Sequence, residues 1–561
     1  MRKSHRVLLI GLDGATWDVL DPWIRDGTLP HLAALRERSS WGPLRSSIPP
    51  ITAAAWSTFM TGKRPGKHGV YHFIKLFDDD RTPASEAELV SARSIKSATL
   101  WDNMGHHDRK VVLINIPLTY PPRPVNGVMV TGLLTPSSAP VFTYPPELSK
   151  QITGYKIDLD RFIDKTPYID TFNAEITAPT LSLVQEFQEM EEKRAQVTLS
   201  LMDSEPWDFF MVVFTSTDRL GHYFWPYHRA ANPEDHPAVQ QLCEAVRAFY
   251  IRLDALVGEL IESLDQNTSV VMMSDHGMGP TYTKRLHCNN WLHQHGWLAV
   301  KSDSAQITNP DSWLKRLGLP RDKVGRLIRR IPGLAESHLV RKATNSRSGA
   351  IDLEHSKAYC VALFHNIMGI RVRLAGEEKA ALCREIMQRL QEIVDPETGQ
   401  RIVQHVYQSS DYYSGPYVDN VPDIIVSIDP DYGCSYYVSH YSSIITRRED
   451  VSGPAKHRME GIFLASGPCI VPQATPLPDL QIEDIAPTVL HLMGLPVPTD
   501  MDGRVLTEIL APVGLASQPV EHEAPQGFWP KEDEAVFSDA VMSSEDEETI
   551  RGRLRALGYF E

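Results

Sequence analysis

Short apolar runs, rich in Val, Ile and Leu and lacking polar alternation, constrain the fold of this chain more than any other feature. They are RVLLIGL, KVVLINI, GVMVTGLL, FFMVVFT, SVVMMS, DIIVSI and GIFLAS. Runs of this kind are typical of strands buried on both faces of a sheet. Helical patterns lie between them, so we predict an α/β fold, a three-layer α/β/α sandwich with a mainly parallel central sheet. Functional residues are then expected at the C-terminal ends of the strands.

Composition excludes some classes of partner. The formal net charge of -15 disfavours binding to a nucleic-acid polymer, because that affinity depends on Lys and Arg that neutralise phosphates. A small phosphorylated ligand needs only local positive charge, so it remains compatible with the sequence. Oligomeric state is not predicted.

The cysteines and the N-terminus bear on location. The six cysteines are scattered and form no CxxC pair, which indicates neither a disulfide framework nor a thiolate zinc site. The opening MRKSHRVLLIGLDG has a short apolar run without a small-residue cleavage site, and no later apolar segment is long enough to be a transmembrane helix. We therefore predict a cytoplasmic protein without a transmembrane segment.

The chain is expected to divide into a core and two additions. Residues 303–347 carry more Lys and Arg than Asp and Glu, and they mark a basic helical cap inserted at 291–354. Its segment DKVGRLIRRIPGL is read either as a basic helix for an anionic surface or as a solvated helix with one apolar face. The core then comprises 1–290 and 355–511. Residues 512–561 form an acidic, Pro-rich tail with a short C-terminal helix capped by Ser543 or Ser544.

Potential metal ligands follow several of the predicted strands. Asp13 comes directly after the first strand, although an Asp there is often only a turn former. Asp218 and His222 are spaced to lie on one side of a helical turn after FFMVVFT, where the alternative is a capping Asp with a surface His. Asp275 and His276 end the strand SVVMMS and precede glycines. Burying such a pair without a partner is costly, which favours a ligand role.

Two further residues complete the candidate set. His457 precedes the late run GIFLAS, and a lone histidine there is usually structural or exposed. Thr52 begins the small-residue segment TAAAWSTFMTGKRPGKHGV. A hydroxyl is a poor nucleophile until a base or a metal ion activates it. The local sequence therefore leaves open whether Thr52 is a nucleophile or an ordinary loop hydroxyl.

In this order, the motifs resemble the alkaline phosphatase superfamily, and most closely its type I phosphodiesterase and nucleotide pyrophosphatase branch. The resemblance spans roughly residues 6–510. The motifs that carry it are GLDG, TAAAWSTFMTGKRPGKHGV, DRLGH, SDHGM, KHRMEGIFLASGP and IEDIAPTVLHLMGLPVPTDMDGRVL. As an ordered set they are far more specific than any one of them.

The resemblance implies a role for each candidate. One divalent ion, most often zinc with manganese as the alternative, would be held by Asp13, Thr52, Asp275 and His276. A second would be held by Asp218, His222 and His457. In this family the threonine or serine ten residues before the glycine of TG is the nucleophile, and the corresponding residue is Thr52. A phosphothreonine intermediate in phosphate ester hydrolysis is then expected.

One position departs from the family pattern. Nucleotide pyrophosphatases carry an asparagine three residues beyond the nucleophile, and this chain has Ala55 there. Asn289, Asn290, Lys63, Arg64 or Arg219 are candidates for the missing donor or cation. The departure leaves open whether the substrate is a phosphate monoester or diester.

Two other functions stay open at this point. A phosphomutase or phosphotransferase of the same superfamily would pass the phosphoryl group to an acceptor hydroxyl rather than to water. An inert, metal-stabilised protein would use the basic cap to hold an anionic glycan or lipid. A sulfatase is disfavoured, because no CxPxR-type signature surrounds Thr52 and no cysteine precedes residue 243.

Overall fold

A computed structural model describes most of the chain. The described residues are 5–75, 87–159, 174–301, 351–419, 421–438, 443–448, 455–512, 518–530 and 542–559. They divide into two compact units. The first comprises Met1–Thr281, Tyr413–Asn420 and Ser452–Glu561, and the second comprises Tyr282–Tyr412 and Val421–Val451.

The strands are numbered in chain order. They are β1 Arg6–Leu12, β2 Ser40–Arg45, β3 Val111–Ile116, β4 Gly127–Thr131, β5 Thr143–Tyr144, β6 Phe209–Phe214, β7 Thr268–Met273, β8 Gly277–Gly279, β9 Lys284–His287, β10 Ala299–Val300, β11 Ile351–Asp352, β12 Ala358–Phe364, β13 Ile367–Val372, β14 Val403–Gln408, β15 Ile424–Ile428, β16 Tyr432–Ser435, β17 Ile445–Arg447, β18 Lys456–Arg458, β19 Glu460–Ser466, β20 Leu480–Gln481, β21 Val497–Pro498 and β22 His522–Glu523.

The α-helices of the described residues are numbered in the same way. They are α1 Trp17–Arg25, α2 Pro30–Glu37, α3 Thr52–Thr61, α4 Pro65–His68, α5 Leu100–His106, α6 Leu148–Gln151, α7 Ala174–Ser204, α8 Ser216–Phe224, α9 Pro237–Glu262, α10 Cys288–Gln294, α11 Gly376–Leu390, α12 Ser409–Tyr412, α13 Ile485–Leu492 and α14 Ser544–Ala556. None of them is long and apolar enough to cross a membrane.

A nine-stranded sheet forms the centre of the first unit, in the order β20-β2-β19-β7-β1-β6-β3-β4-β5. Within the run β7-β1-β6-β3-β4, each strand is parallel to the next. Antiparallel neighbours occur at β19, which pairs with β7 and β2, and at β5. The predicted α/β class with a mainly parallel central sheet is therefore confirmed.

The apolar runs explain the middle of this sheet. Every residue of β3, β6 and β7 is buried, and so are all residues of β1 except Arg6. Burial of the Val, Leu and Ile side chains on both faces stabilises the fold by about 1.5–3 kcal/mol for each large side chain. Strands without a polar face fit only between layers of helices, which include α7 and α9.

One apolar run lies elsewhere. DIIVSI forms β15, which belongs to a separate four-stranded sheet of the second unit in the order β12-β13-β15-β14. Both neighbours of β15 are antiparallel to it. Assigning this run to the parallel sheet was wrong, because an apolar run reports burial on both faces and carries no information about strand direction.

The domain boundaries stay a prediction. Most of the expected basic cap lies outside the described residues, which end at residue 301 and resume at 351. The second compact unit also takes in residues 355–412 and 421–451, which the sequence had placed in the core. At the C-terminus, α14 begins at Ser544, and Ser543 Oγ accepts a hydrogen bond from Asp546 N at 3.1 Å.

Candidate active site

Three neighbouring strands of the central sheet deliver acidic residues to one edge. Asp13 follows β1, Asp218 lies in the first turn of α8 after β6, and Asp275 follows β7. Because β7, β1 and β6 are adjacent and parallel, their carboxyl ends meet at this edge. All three aspartates are buried. The topology therefore brings together side chains that are far apart in sequence.

Thr52 is the first residue of α3. The first N–H groups of a helix have no partner within the helix, and the helix dipole favours negative charge there. Thr52 Oγ1 lies 3.2 Å from His276 Nε2 and 2.9 Å from Tyr559 Oη. A hydroxyl at this place is suited to carry an anionic group.

We call Asp13, Thr52, Asp275 and His276 the nucleophile cluster, after the role that the resemblance implies for Thr52. His276 Nε2 lies 3.2 Å from Asp275 Oδ2 and 3.9 Å from Asp13 Oδ1. One ligand atom from each of these two aspartates and from His276 lies within 4.8 Å of the others. The four residues that the resemblance groups around one ion therefore converge.

We call Asp218, His222 and His457 the histidine cluster. Asp218 Oδ1 lies 3.3 Å from His222 Nε2 and 3.4 Å from His457 Nε2. Asp218 and His222 occupy positions i and i+4 of α8, and His457 comes from β18, which pairs with β8. His276 and His457 stack with their ring centroids 3.4 Å apart, so the two clusters adjoin.

Backbone carbonyls fix the direction of all three imidazoles. His222 Nδ1 donates to Ala455 O at 2.9 Å, His276 Nδ1 to Gly277 O at 3.0 Å, and His457 Nδ1 to Pro50 O at 2.8 Å. The proton on Nδ1 leaves the Nε2 lone pair of each ring directed into the site. His222 Nε2 and His457 Nε2 are 3.0 Å apart, which is favourable only with a proton or a cation between them.

Within the described part of the chain, one carboxylate oxygen of each aspartate has no hydrogen-bond partner. These buried atoms are Asp13 Oδ1, Asp218 Oδ1 and Asp275 Oδ2. An unpaired buried carboxylate oxygen is costly, and a coordinated cation removes the cost. Since these oxygens lie beside the Nε2 lone pairs, the residues present fit divalent metal ions with mixed oxygen and nitrogen ligands.

The electrostatics differ between the aspartates. Burial, followed by the charges of Asp275 and Asp218, raises the pKa of Asp13 well above its usual value. Burial and the charge of Asp218 do the same to the pKa of Asp275. Burial opposes the charge of Asp218, but His222, His457 and Arg219 outweigh it and hold its pKa well below the usual value. The excess negative charge thus lies in the nucleophile cluster.

A family model described as type I phosphodiesterase / nucleotide pyrophosphatase matches residues 7–449, more than half of the chain. The chain belongs to this family. It is similar to an uncharacterized pyrophosphatase/phosphodiesterase of Schizosaccharomyces pombe, with 25% identity over 317 residues that cover 55% of this chain. The match spans 50% of that relative's length.

Two solved structures align with most of the chain. Phosphonoacetate hydrolase from Sinorhizobium meliloti 1021, in complex with phosphonoformate, gives a TM-score of 0.46 with 14% identity, over 88% of this chain and 96% of its own. Human ectonucleotide pyrophosphatase / phosphodiesterase 5 gives a TM-score of 0.43 with 14% identity, over 90% of this chain and 99% of its own. The predicted type I phosphodiesterase and nucleotide pyrophosphatase branch is confirmed by the family model.

The structure of this phosphodiesterase-family member places the predicted donors at different distances from Thr52. Arg219 lies in the site, where its Nη1 donates to Asp218 Oδ2 at 2.6 Å. Lys63 follows the C-terminal end of α3 and pairs with Asp500, so about 15 Å of helix separates it from Thr52 at the N-terminal end. Arg64, next to it, pairs with Glu483 at 2.8 Å. The structure does not bring Lys63 or Arg64 to Thr52.

Asn289 and Asn290 lie on α10 of the second unit. Asn289 uses its side chain within that unit, since its Nδ2 donates to Tyr436 O and Cys360 N donates to its Oδ1 at 2.8 Å. This is a structural role for Asn289. A contact of Asn289 or Asn290 with substrate stays a prediction.

Sequence reasoning missed several residues around the site of this phosphodiesterase-family chain. Trp56 Nε1 donates to Asp13 Oδ2 at 3.0 Å, and Asp158 Oδ2 accepts from Arg219 Nη2 at 2.7 Å. Tyr559, two residues from the end of the chain, contacts Thr52 and His457. Trp56 follows Ala55 in a quoted motif and could have been flagged. No local pattern marks Asp158 or Tyr559.

Proposed function

We propose that this protein is a two-metal phosphohydrolase that cleaves phosphate mono- or diesters through a phosphothreonine intermediate on Thr52. One observation carries the proposal. Thr52 Oγ1 lies at the N-terminus of α3, 3.2 Å from His276 Nε2. In the same cluster, Asp13 Oδ1 and Asp275 Oδ2 are buried and have no hydrogen-bond partner among the described residues. Membership of the type I phosphodiesterase family supports the reaction class.

The ligand atoms divide between two ions. The nucleophile cluster would hold one ion, and the histidine cluster would hold the other. Bound divalent ions would lower the pKa of the Thr52 hydroxyl, neutralise phosphoryl oxygens and stabilise the leaving group. Aspartate and histidine ligands suit zinc best, with manganese as the alternative.

Thr52 carries the covalent chemistry. Its Oγ1 forms a bond to phosphorus as the bond from phosphorus to the ester oxygen breaks, and the threonine proton passes to solvent. The departing alcohol takes a proton from water. In the second step a water oxygen bonds to phosphorus, the bond between phosphorus and Oγ1 breaks, and Thr52 regains its proton as phosphate or a phosphomonoester leaves.

The chain also orients the reacting groups. The first N–H groups of α3 face the anionic group that Thr52 carries, and the helix dipole favours its charge. Gly14 has a positive φ of 67°, and a Cβ on it would lie 3.0 Å from Asp218 Cα and Oδ1. Its N–H donates to Asp275 Oδ1 at 3.1 Å. The positive φ and the close approach of Asp218 to the backbone therefore require glycine at position 14.

A comparison of p-nitrophenyl phosphate with bis(p-nitrophenyl) phosphate tests the reaction class. The chelated protein is assayed with zinc or manganese added back, and Thr52→Ala is assayed beside Thr61→Ala. Thr61 is a suitable control because it is buried in the same helix and its hydroxyl donates to Ser57 O. We expect hydrolysis by the wild type and by Thr61→Ala, and its loss in Thr52→Ala.

Isotopic water separates hydrolysis from transfer. Solvent oxygen in the released phosphate is expected from the second step. Phosphate without solvent oxygen, together with an isomerised substrate, would instead identify a phosphomutase or phosphotransferase. A wild-type protein that binds metal but turns over no ester would favour the inert, metal-stabilised binding protein. A wild-type protein that binds no metal would reject the proposed site. A cytoplasmic location and the absence of nucleic-acid binding stay predictions.

A further inference from the structure

The end of the chain reaches the nucleophile. Tyr559 Oη lies 2.9 Å from Thr52 Oγ1 and 3.1 Å from His457 Nε2, although 507 residues separate the first pair. The tyrosine is buried, and its ring packs edge to face on Phe73 with the centroids 4.6 Å apart. The hydroxyl is therefore held between the two clusters.

The helix before Tyr559 is anchored along its length. Ile550, Leu554 and Leu557 are at most 2% exposed, and Tyr559 N donates to Leu554 O at 3.0 Å. Burying three large aliphatic side chains contributes about 1.5–3 kcal/mol each. At its outer end, Asp546 accepts a hydrogen bond from Ser138 Oγ at 2.7 Å. The C-terminal helix is therefore packed into the first unit through its apolar side chains and hydrogen bonds.

The same helix makes a second link to the site. Arg553 Nη1 lies 3.4 Å from Asp158 Oδ2, and Asp158 also pairs with Arg219 at 2.7 Å. Arg219 in turn bonds to Asp218 of the histidine cluster. Two side chains of the C-terminal segment thus reach the site by separate routes, which a chance contact of the tail would not produce.

The direction of the hydrogen bonds makes Tyr559 a donor. His457 donates its Nδ1 proton to Pro50 O, so in the neutral ring its Nε2 accepts from Tyr559. A tyrosine hydroxyl is protonated at neutral pH and donates either to His457 Nε2 or to Thr52 Oγ1. If His457 Nε2 binds a metal ion, Thr52 Oγ1 is the remaining acceptor of the two for the Tyr559 hydroxyl.

The residues that follow Thr52 in α3 supply no such group. Ala53, Ala54 and Ala55 are fully buried and have no side-chain donor. A phosphoryl group on Thr52 Oγ1 places its nonbridging oxygens one bond beyond phosphorus. The Tyr559 hydroxyl already contacts Oγ1, so these oxygens are within its reach. We propose that Tyr559 is a catalytic residue that donates a hydrogen bond to a nonbridging oxygen of this phosphoryl group. The inference rests on the proposed function of Thr52.

Tyr559→Phe is the direct test, because it removes the hydroxyl and keeps the ring that packs on Phe73. We expect kcat for p-nitrophenyl phosphate to fall about 10- to 100-fold, since a donor to the transition state is lost. KM should change much less than kcat. Binding of inorganic phosphate to the zinc-loaded protein, followed by calorimetry, should weaken by roughly tenfold, while zinc content and thermal stability stay at the wild-type level.

Tyr432→Phe is the matched control, because this buried tyrosine of the second unit donates to Asp395 and lies outside both clusters. Its kinetics and phosphate affinity should match the wild type. Tyr559→Ala, which removes the ring as well, should be at least as impaired as Tyr559→Phe. Faster turnover in either Tyr559 variant would overturn the inference and identify the tail as a cover over the nucleophile.

The outcomes distinguish this inference from the proposed function. An active wild type with an equally active Tyr559→Phe variant would reject the role of Tyr559 alone. A wild type that hydrolyses no ester and binds neither zinc nor phosphate would reject the proposed function, and the inference with it. A wild type that binds phosphate, with weaker binding in Tyr559→Phe, would support the contact through a measurement independent of turnover.

Discussion

The nucleophile cluster and the histidine cluster use the same two kinds of ligand in opposite proportions. The first combines two carboxylates and one imidazole with the Thr52 hydroxyl, whereas the second combines one carboxylate with two imidazoles. Arg219 further neutralises Asp218, while Asp13 receives a hydrogen bond from the uncharged indole of Trp56. The nucleophile cluster therefore holds more unbalanced negative charge.

This difference assigns distinct tasks to the clusters. Under the proposed function, an ion in the nucleophile cluster would be bound strongly by charge and would activate the Thr52 hydroxyl. An ion in the histidine cluster would be bound mainly by neutral nitrogens, which would leave more of its charge for phosphoryl oxygens and the leaving group. Four experiments can break or sharpen this contrast.

Removal of the proposed nucleophile should have the largest effect. We expect Thr52→Ala to lower kcat for p-nitrophenyl phosphate by about 10⁴-fold, because no other group replaces the covalent step. Both ions should remain, since the charged ligands of both clusters are intact, and elemental analysis checks this. Loss of one ion together with the activity would show that the Thr52 hydroxyl is required for metal binding as well.

Removal of one negative charge from either cluster should affect the metal ion of that cluster only. We expect Asp275→Asn to lower kcat by about 10³-fold and to remove the ion of the nucleophile cluster, because two negative charges there become one. Asp218→Asn should remove the other ion and leave the first in place. Metal content measured by elemental analysis distinguishes the variants, and loss of both ions in each would mean that the clusters fill as one unit.

Trp56→Phe should act on the nucleophile cluster alone. Loss of the indole N–H leaves Asp13 Oδ2 without its donor, and we expect metal affinity to fall about 10- to 100-fold, as for other residues that support a ligand. Trp101→Phe is the control, since its buried indole nitrogen has no hydrogen-bond partner among the residues that the structure describes. Equal metal affinities in the two variants would contradict the supporting role of Trp56.

Graded chelation should show the smallest difference. We expect the ion of the histidine cluster to leave at a chelator concentration about tenfold lower than the ion of the nucleophile cluster, because fewer negative charges hold it. Metal content measured against chelator concentration would then fall in two steps. The step that remains in Asp218→Asn identifies the nucleophile cluster, and a single step in the wild type would argue against the difference in charge.

Much of the site was visible in the sequence. Asp13, Asp275 and His276 follow strands whose apolar runs are unambiguous, and the ends of adjacent parallel strands meet in any sheet of this type. The spacing of Asp218 and His222 predicted their common helix face. Thr52 needed the family resemblance, because a threonine before three alanines carries no chemical signal by itself.

The sequence did not reveal where several other residues lie, for physical reasons. Lys63 is near Thr52 in sequence, but the intervening residues are helical and carry it to the opposite end of α3. Asn289 is committed to backbone groups of the second unit, which no local pattern reveals. DIIVSI was placed in the wrong sheet, because the hydrophobicity of a strand does not encode its neighbours.

The sequence by itself determined the buried strands of the central sheet and the ligand types that follow them. These properties depend on residues close together in the chain, where periodicity and spacing act directly. Only the tertiary structure decided that carbonyls of Pro50, Gly277 and Ala455 aim the three imidazoles. It also placed Tyr559 beside Thr52, because a contact across 507 residues depends on how the whole unit packs.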